Sequence, residues 1–293
     1  MKPSFWILSA ALVLAACLWL PAVSALSPES AAKNQPQAPF RVAGDIYYVG
    51  ASDVTSYLIV TPQGMVLLDG GFAETAPMIE KNIATLGFKL TDVKVLLNGH
   101  AHPDHAGGLA QLKRDTGASF EAMSEEVVPL EHEGQGTFYR GDRHLFDSIK
   151  VDRVLHDGDT VALGGVTLTA HLTAGHTPGC TSWSMQVTEG GKPYSALFIC
   201  QLTPLPDQLL GNPLYPDASQ DYARTFQVLQ ALPCDVFLAE HGSAFDLLGK
   251  YARLQAHPET DPFVDLAGCK AYLEQSRQAF EAQLKSEQAA AHP

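Results

Sequence analysis

The chain has 293 residues, of which 46% are hydrophobic and 17% are charged. This composition is typical of a globular protein. Its 32 acidic residues outnumber 19 lysines and arginines, which gives a formal net charge of −13. Because nucleic-acid binding depends on lysine and arginine contacts to phosphate, this charge argues against a nucleic-acid partner and favours a small molecule.

The first 25 residues, "MKPSFWILSAALVLAACLWLPAVSA", combine one basic residue, a long apolar run and a small-residue ending. This pattern predicts a secretory signal that is cleaved after Ala25 and leaves no membrane attachment. The stretch "LAAC" at 14–17 also resembles a lipoprotein box, which would acylate Cys17. The apolar run continues past Cys17, so simple cleavage is favoured. We expect residues 26–293 to form a single exported domain.

Strand and helix patterns alternate along the rest of the chain. Strands are predicted at 45–51, 55–61, 64–71, 93–100, 159–165, 166–176, 181–187, 195–202 and 234–241, and helices at 76–88, 107–117, 217–232 and about 268–285. The segment 125–154 is irregular and rich in glycine and aromatic residues, which is typical of a substrate-facing loop. The two halves repeat one pattern. They predict an α/β fold in which two sheets pack face to face between outer helices, a four-layer αββα sandwich.

Four cysteines remain after the signal is removed. An even number in an oxidising compartment indicates two disulfides, and sequence alone allows three pairings. Cys234 opens a strand and Cys269 begins the last helix, so a bond between them would fasten the C-terminal segment to the core. Cys180 and Cys200 would then form the second bond.

The stretch "NGHAHPDHAGG" at 98–108 places His100, His102, Asp104 and His105 at the end of a buried strand, just before a helix. Neutral imidazole and carboxylate are ligands that zinc accepts readily. Alternate residues of a tight turn face different sides, so this spacing can serve two metal ions. A polar loop that happens to be rich in histidine is the alternative, and it would require that the chain offer no further ligands.

Two further histidines follow strands directly, His176 in "AGHTPG" and His241 in "LAEHG". Strand ends of a sandwich converge on one rim, where ligand sites are assembled. The histidines complete two ligand sets: His100, His102 and His176 for one zinc, and Asp104, His105 and His241 for another. Each set has three ligands and leaves a position open, which is typical of catalytic zinc and not of structural zinc. His171 alternates with core-facing residues, so we expect it to be exposed.

The motifs "HAHPDH", "GHTPGCTSW", "LLDGG" and the late "EHG" resemble the metallo-β-lactamase superfamily over nearly the whole mature chain. The segments "GDIYYVGASDVTSYLIVTPQGMVLLDGG" and "GHTPGCTSWSMQV" are similar to the third subclass of dizinc β-lactamases, and the late cysteine pair also fits that subclass. The resemblance implies the αββα fold, two zinc ions, a periplasmic location and hydrolysis of β-lactam antibiotics.

The chemistry expected of such a site is attack on the β-lactam carbonyl by a hydroxide held between two zinc ions. Asp104, as a ligand of the second zinc, would also orient that hydroxide and is therefore the candidate catalytic residue. Asp69 ends "VLLDGG". It is either an ordinary turn residue or a support for the histidine turn.

The chain departs from the resembled subclass at "LFICQLTPL", 197–205. That subclass generally has serine where this chain has Gln201, and related thioester hydrolases have a bridging aspartate there. The missing aspartate argues against a thioesterase. Gln201 could bind a water or a substrate carboxylate, or simply cap the rim, and Thr203 is the better candidate for binding a carboxylate. Cys200 could bind zinc only after a shift in register, so a disulfide is favoured.

Three functions stay open at this point. The first is a periplasmic dizinc β-lactamase, which we expect to be a monomer. The second is another hydrolase of the same fold that acts on a lactone or a thioester. The third is a non-catalytic zinc-binding protein, which the open coordination positions disfavour.

Overall fold

The computed structural model describes residues 26–136, 145–206 and 209–291. The predicted signal at 1–25, with Cys17, lies outside the described residues, and so does 137–144 within the loop predicted to face a substrate. Among the described residues, no helix is both long and apolar enough to cross a membrane.

The first sheet contains seven strands that lie side by side in chain order. They are β1 (Phe40–Ala43), β2 (Ile46–Tyr48), β3 (Tyr57–Thr61), β4 (Gly64–Leu68), β5 (Val93–Leu97), β6 (Ser119–Met123) and β7 (Arg153–Leu155). Strands β1 to β4 pair antiparallel, and β4 to β7 pair parallel. Because parallel strands end at the same edge, the loops that follow β4, β5 and β6 meet at one rim.

The second sheet contains five strands in the order β12-β11-β10-β9-β8. They are β8 (Thr160–Leu163), β9 (Val166–Leu172), β10 (Thr181–Glu189), β11 (Lys192–Ile199) and β12 (Val236–Ala239). Strands β11 and β12 are parallel, and the other pairs are antiparallel. The loops after β11 and β12 therefore also leave the sheet at a common edge.

The helices lie in the segments before, between and after these strands. They are α1 (Pro28–Lys33), α2 (Ala76–Thr85), α3 (Pro103–Ala106), α4 (Leu109–Thr116), α5 (Val127–Glu131), α6 (Ala218–Ala231), α7 (Leu247–Ala256) and α8 (Leu266–Ala291). The predicted helices at 76–88, 107–117, 217–232 and 268–285 correspond to α2, α4, α6 and α8.

Strand β4 shows how the layers are built. Its alternate residues point to opposite faces, as in any strand. Val66 and Leu68 pack into the core between the two sheets, while Met65 and Leu67 pack into a second core beneath α2 and α4. A strand buried on both faces reads as a continuous apolar run, which is why "GMVLL" shows no alternation.

Helices α6 and α8 cover the outer face of the second sheet. Phe226 of α6 and Phe280 of α8 are both buried, and their ring centroids lie 5.7 Å apart. Helices therefore lie outside each sheet, and the predicted four-layer αββα sandwich is confirmed.

Strands β6 and β7 are two of the elements that the sequence patterns do not predict. Strand β6 contains the buried Glu121, whose carboxylate lies 2.9 Å from Arg153 of β7. A charged residue within a strand of five breaks the apolar pattern, and the compensating charge comes from a residue 32 positions later. The periodicity of a short sequence window cannot predict an ion pair between residues so far apart in the chain.

Candidate metal centre

The histidine turn follows β5 and continues into the short helix α3. Pro103 occupies the start of that helix, where its fixed φ suits the helix and its missing N–H is not needed. The turn ends in glycine because there is no space for a side chain at position 108. A Cβ on Gly108 would lie 2.2 Å from the carbonyl oxygen of Gly70. The turn is therefore packed directly against the loop that follows β4.

The structure brings the six predicted metal ligands to one rim of the sandwich. His176 lies in the loop between β9 and β10, and His241 lies two residues after the end of β12. The ring of His241 lies 5.2 Å from that of His105, and the ring of His176 lies 4.8 Å from that of His102. The loops of both sheets thus meet around the histidine turn.

Three histidine nitrogens of the first predicted set face one another. Nε2 of His100 and Nε2 of His176 each lie 3.1 Å from Nδ1 of His102. All three side chains are buried. A zinc ion with Zn–N bonds of 2.0–2.1 Å in a tetrahedral arrangement would hold its ligand nitrogens about 3.3 Å apart. The three histidines therefore fit one zinc ion.

The second predicted set is arranged around Asp104. Its Oδ2 lies 3.5 Å from Nε2 of His105 and 3.5 Å from Nε2 of His241. These distances are longer than ordinary N–H···O hydrogen bonds. They are close to the separation of about 3.4 Å expected between two ligand atoms on one tetrahedral zinc. Asp104 and His241 are partly exposed, so this side of the site is open to small molecules.

Burial and neighbouring charges set the protonation of the cluster. Burial and the adjacent imidazoles lower the pKa of His100 and of His176 well below the ordinary value, so both are neutral, the form that binds metal. Burial alone would raise the pKa of Asp104, but His105 and His241 hold that pKa below its usual range. His100 and His176 therefore present neutral nitrogens, and Asp104 presents an ionised carboxylate. Burial alone would lower the pKa of His105, but Asp104 and Glu240 raise it well above the ordinary value, so metal binding at His105 would displace a proton.

Oxygen atoms lie close to the ring nitrogens of several site histidines, on the side that faces away from the cluster. These contacts join Nδ1 of His100 to Glu240 Oε1 at 3.1 Å, Nδ1 of His105 to Asp69 Oδ2 at 3.4 Å, Nδ1 of His176 to the Thr203 carbonyl at 2.8 Å and Nδ1 of His241 to Asp53 Oδ2 at 3.2 Å. At His100, His176 and His241 the contact has hydrogen-bond geometry, which selects the tautomer and orients the ring for metal binding. Asp69, which the sequence left as a turn residue or a support, is buried and lies behind His105.

Asp53 is a site residue that the sequence reasoning missed. Burial would raise the pKa of its carboxyl group, but hydrogen bonds from His241 and from the Ser243 backbone lower that pKa to about 2. Its sequence context, "GASDVTS", shows only a polar turn. The contact joins residues 188 positions apart, so no local signal could have revealed it.

Glu126 was also missed, and it connects two ligand-bearing loops. Its carboxylate accepts hydrogen bonds from the backbone N–H of Ala101 at 2.8 Å, from the backbone N–H of Gly179 at 3.0 Å and from the hydroxyl of Thr177. Ala101 lies in the histidine turn, and Thr177 follows His176. Glu126 therefore sets the distance between the two loops that form the three-histidine set.

Gln201 and Thr203 follow β11 and reach the same rim. Gln201 Oε1 accepts a hydrogen bond from the backbone N–H of Leu202 at 3.1 Å and lies 3.4 Å from the Thr203 hydroxyl. Thr203 is exposed, and Gln201 is half-buried. Their backbones also support the site, since the Thr203 carbonyl holds His176 and the Gln201 N–H donates to Glu240.

Both expected cysteine pairs are bonded in the structure. Cys180–Cys200 joins the loop that carries His176 to the end of β11, and Cys234–Cys269 joins the start of β12 to helix α8. Because the Cys200 sulfur is bonded to Cys180, the disulfide accounts for both cysteines near the site.

His171 differs from the expectation. It is half-buried, and its Nε2 lies 2.8 Å from the Ser184 hydroxyl on the neighbouring strand β10. The prediction that it is exposed is therefore wrong, because cross-strand pairing covers a side chain that alternation alone places on the outer face. It contacts a hydroxyl and not another histidine of the site.

Comparisons with known proteins agree with this geometry. Residues 49–188 match the model of the metallo-beta-lactamase superfamily. The native FEZ-1 metallo-beta-lactamase from Legionella gormanii is 43% identical, with a TM-score of 0.85 over 87% of this chain and 98% of that one. BJP-1, a subclass B3 metallo-beta-lactamase of Bradyrhizobium japonicum, is 38% identical, with a TM-score of 0.83 over 89% of this chain and 98% of that one.

Curated sequences give shorter matches. A probable metallo-hydrolase of Burkholderia pseudomallei (strain 1710b) is 33% identical over 109 residues, which are 37% of this chain and 36% of that protein. A hydroxyacylglutathione hydrolase of Rhodopseudomonas palustris (strain BisB5) is 30% identical over 137 residues, 46% of this chain and 45% of that protein. The matched stretch thus spans less than half the length of each of these relatives.

The sandwich fold, the rim of histidines and these matches together define a metal-binding hydrolase. The chain belongs to the metallo-beta-lactamase superfamily. Among the solved structures that resemble it are subclass B3 metallo-beta-lactamases.

Proposed function

We propose that the chain is a periplasmic dizinc hydrolase that opens the β-lactam ring of antibiotics. The observation that carries this proposal is the pair of ligand sets at one rim, three histidines in the first and Asp104, His105 and His241 in the second. The identity of 43% to FEZ-1 over nearly the whole of that enzyme supports the substrate class. The apolar start of the sequence and the two disulfides support export to an oxidising compartment.

The protein's own residues hold and orient the reacting groups. Bound zinc would supply Lewis acidity and lower the pKa of water toward neutrality. The hydrogen-bonded oxygens behind His100, His176 and His241 orient these rings, so little reorganisation is needed during reaction. The ionised Asp104 would accept a hydrogen bond from the attacking water and direct it toward the carbonyl.

Substrate contacts are proposed at Gln201 and Thr203. Because Gln201 Oε1 faces the backbone N–H of Leu202, its Nε2 group is the part that can donate to a substrate carboxylate. The exposed Thr203 hydroxyl donates to Gln201 Oε1 at 3.4 Å and would turn from it to offer a second donor to the substrate. A neutral pair of donors would bind a carboxylate by hydrogen bonds alone, without a salt bridge.

Thioester hydrolysis is the second candidate, because the chain also matches hydroxyacylglutathione hydrolases over part of its length. The residue after Cys200 argues against it. Related thioester hydrolases place a bridging aspartate there, and this chain places Gln201, whose neutral amide cannot supply that charge.

Steady-state hydrolysis by purified, zinc-loaded mature protein separates the two candidates. One carbapenem and one glutathione thioester are compared under identical conditions. We expect turnover of the carbapenem and little turnover of the thioester. Turnover of the thioester alone would contradict the proposal and support the second candidate.

A further inference from the structure

We infer that Glu240 is a positioning residue that fixes His100 for metal binding, and that Gly99 is a glycine because Glu240 needs the space beside it. The inference rests on the proposed function only in that zinc is the metal concerned. It concerns this chain's own residues, and its test does not depend on β-lactam hydrolysis.

The Glu240 carboxylate connects three loops of the rim. Glu240 follows β12 and is 6% exposed. Its Oε1 lies 3.1 Å from Nδ1 of His100, in the loop after β5, and its Oε2 accepts the backbone N–H of Gln201 at 2.6 Å, after β11. Both carboxylate oxygens are therefore used, each by a different loop.

The contact with His100 decides which ring nitrogen carries the proton. When Glu240 is ionised its carboxylate can only accept, so Nδ1 of His100 donates to it. The other nitrogen, Nε2, is then unprotonated where it faces Nδ1 of His102. This is the tautomer that binds a metal, and a carboxylate partner also makes the imidazole a stronger ligand.

Gly99 provides an independent observation. A Cβ built at Gly99 would lie 1.7 Å from Oε1 of Glu240, far inside contact distance. The φ of Gly99 is not in the left-handed region, so backbone conformation does not require glycine at this position. Glycine is required because the Glu240 side chain occupies the space where a Cβ would lie. The missing side chain at residue 99, after a strand of the first sheet, therefore leaves room for the side chain of residue 240, after a strand of the second sheet.

The surroundings leave the Glu240 carboxylate little room to move. A cavity lined by Asp69, Gly99 and Glu240, among others, has a volume of about 10 Å³. This volume holds at most one water molecule. Ligand atoms of Asp69 and His105 lie within 4.8 Å of the carboxylate, which contacts His100 and the Gln201 backbone at hydrogen-bond distance.

Glu240→Gln is the informative substitution. The amide can still accept from the Gln201 N–H through its oxygen, which preserves the link to β11. Its NH2 group then faces Nδ1 of His100 and forces that nitrogen to accept, so the proton moves to Nε2 and opposes metal binding. A residue that only held the loops together would tolerate this change.

The test measures zinc affinity by competition with a chromophoric chelator, together with the absorption spectrum of the cobalt(II) form. We expect Glu240→Gln to weaken binding at the three-histidine set about 10–100-fold and to shift the cobalt bands. The control is Glu259→Gln at the exposed His257–Glu259 pair, whose atoms lie 3.4 Å apart, and it should change neither quantity. Wild-type affinity and spectrum in Glu240→Gln would overturn the inference.

Gly99→Ala supplies a second measurement. Its added methyl group should displace the Glu240 carboxylate and weaken zinc binding about as much as Glu240→Gln does. In a Glu240→Ala background the same change should cause no further loss, since the clashing atom is gone. Additive losses in the double variant would contradict the steric match between the two residues.

The outcome is separable from that of the proposed function. If the variants lose zinc affinity as expected while the wild-type protein opens no β-lactam, the role of Glu240 stands and the proposed function fails. If the wild-type protein opens a β-lactam and Glu240→Gln binds zinc normally, the function stands and the role of Glu240 fails.

Discussion

Glu126 accepts the backbone N–H of Ala101 at 2.8 Å, which ties the helix after β6 to the histidine turn after β5. The same carboxylate binds the loop that carries His176 through Thr177 and Gly179. A residue outside the predicted ligand sets thus fixes the geometry between two parts of the three-histidine set.

Glu126→Gln should destabilise the protein by about 1–3 kcal/mol, because an amide NH2 would face a backbone or hydroxyl donor in a buried place. Urea unfolding of the metal-free protein measures this loss. The neighbouring Glu125 is exposed, so Glu125→Gln is the matched control and should leave the unfolding midpoint unchanged. Equal midpoints for both variants would show that Glu126 does not hold the loops.

Substitution should distinguish the histidines that bind metal from those that do not. His105→Ala or His241→Ala should empty the second ligand set, so metal content and β-lactam hydrolysis should fall together. His171→Ala removes a side chain whose partner is Ser184, and both quantities should stay near wild type. The readouts are elemental analysis and steady-state kinetics. Loss of zinc in His171→Ala with both ions kept in His241→Ala would reverse the ligand assignment.

The disulfides should stabilise the fold against unfolding. Replacing Cys234 and Cys269 by serine should lower the free energy of unfolding by about 2–4 kcal/mol, since the unfolded chain regains the freedom that the bond removed. Thiol labelling of denatured, unreduced mature protein should detect no free cysteine. Detection of two labelled cysteines in the mature chain would mean that one bond is absent.

Acid stability should depend on the pair formed by the buried Lys250 and the partly exposed Asp265. Lys250 Nζ lies 2.8 Å from Asp265 Oδ2 and sits against the rings of Phe237, Phe245 and Phe263. Burial would raise the pKa of Asp265, but Lys250 and the Gly268 N–H lower it below the ordinary value of 3.8. A lowered acid pKa stabilises the fold above the unfolded value, and this stabilisation is lost as pH falls through the folded pKa.

Asp265→Asn should therefore destabilise the protein at neutral pH, and its difference from wild type should shrink as the pH falls below 3.8. Urea unfolding across this pH range provides the measurement. Asp261→Asn, an exposed change four residues earlier, is the control and should not alter the pH profile. A constant difference between Asp265→Asn and wild type at all pH values would contradict the role of the carboxylate.

Much of the fold and the six predicted ligands follow from local sequence patterns. Ligand residues adjoin strand ends, and "HAHPDH" concentrates four of them in one turn, so spacing alone suggests which loops converge. The apolar runs of β4 and β5 likewise predict strands that are buried on both faces.

The supporting carboxylates could not be found in this way. Asp53, Glu126 and Glu240 lie in ordinary polar contexts, and each acts on a residue 25 to 188 positions away. Their roles arise from burial and from loops that meet only in the folded chain. The reason for glycine at position 99 also appears only in the structure, where a Cβ would lie 1.7 Å from Oε1 of Glu240.

Zinc titration of chelator-treated mature protein, followed by carbapenem hydrolysis, tests the central claim most directly. We predict that the metal-free protein is inactive and that activity returns as zinc is added, reaching its maximum at two ions per chain. Full hydrolysis with less than one tightly held metal ion per chain would contradict the account, as would two bound zinc ions without any β-lactam hydrolysis.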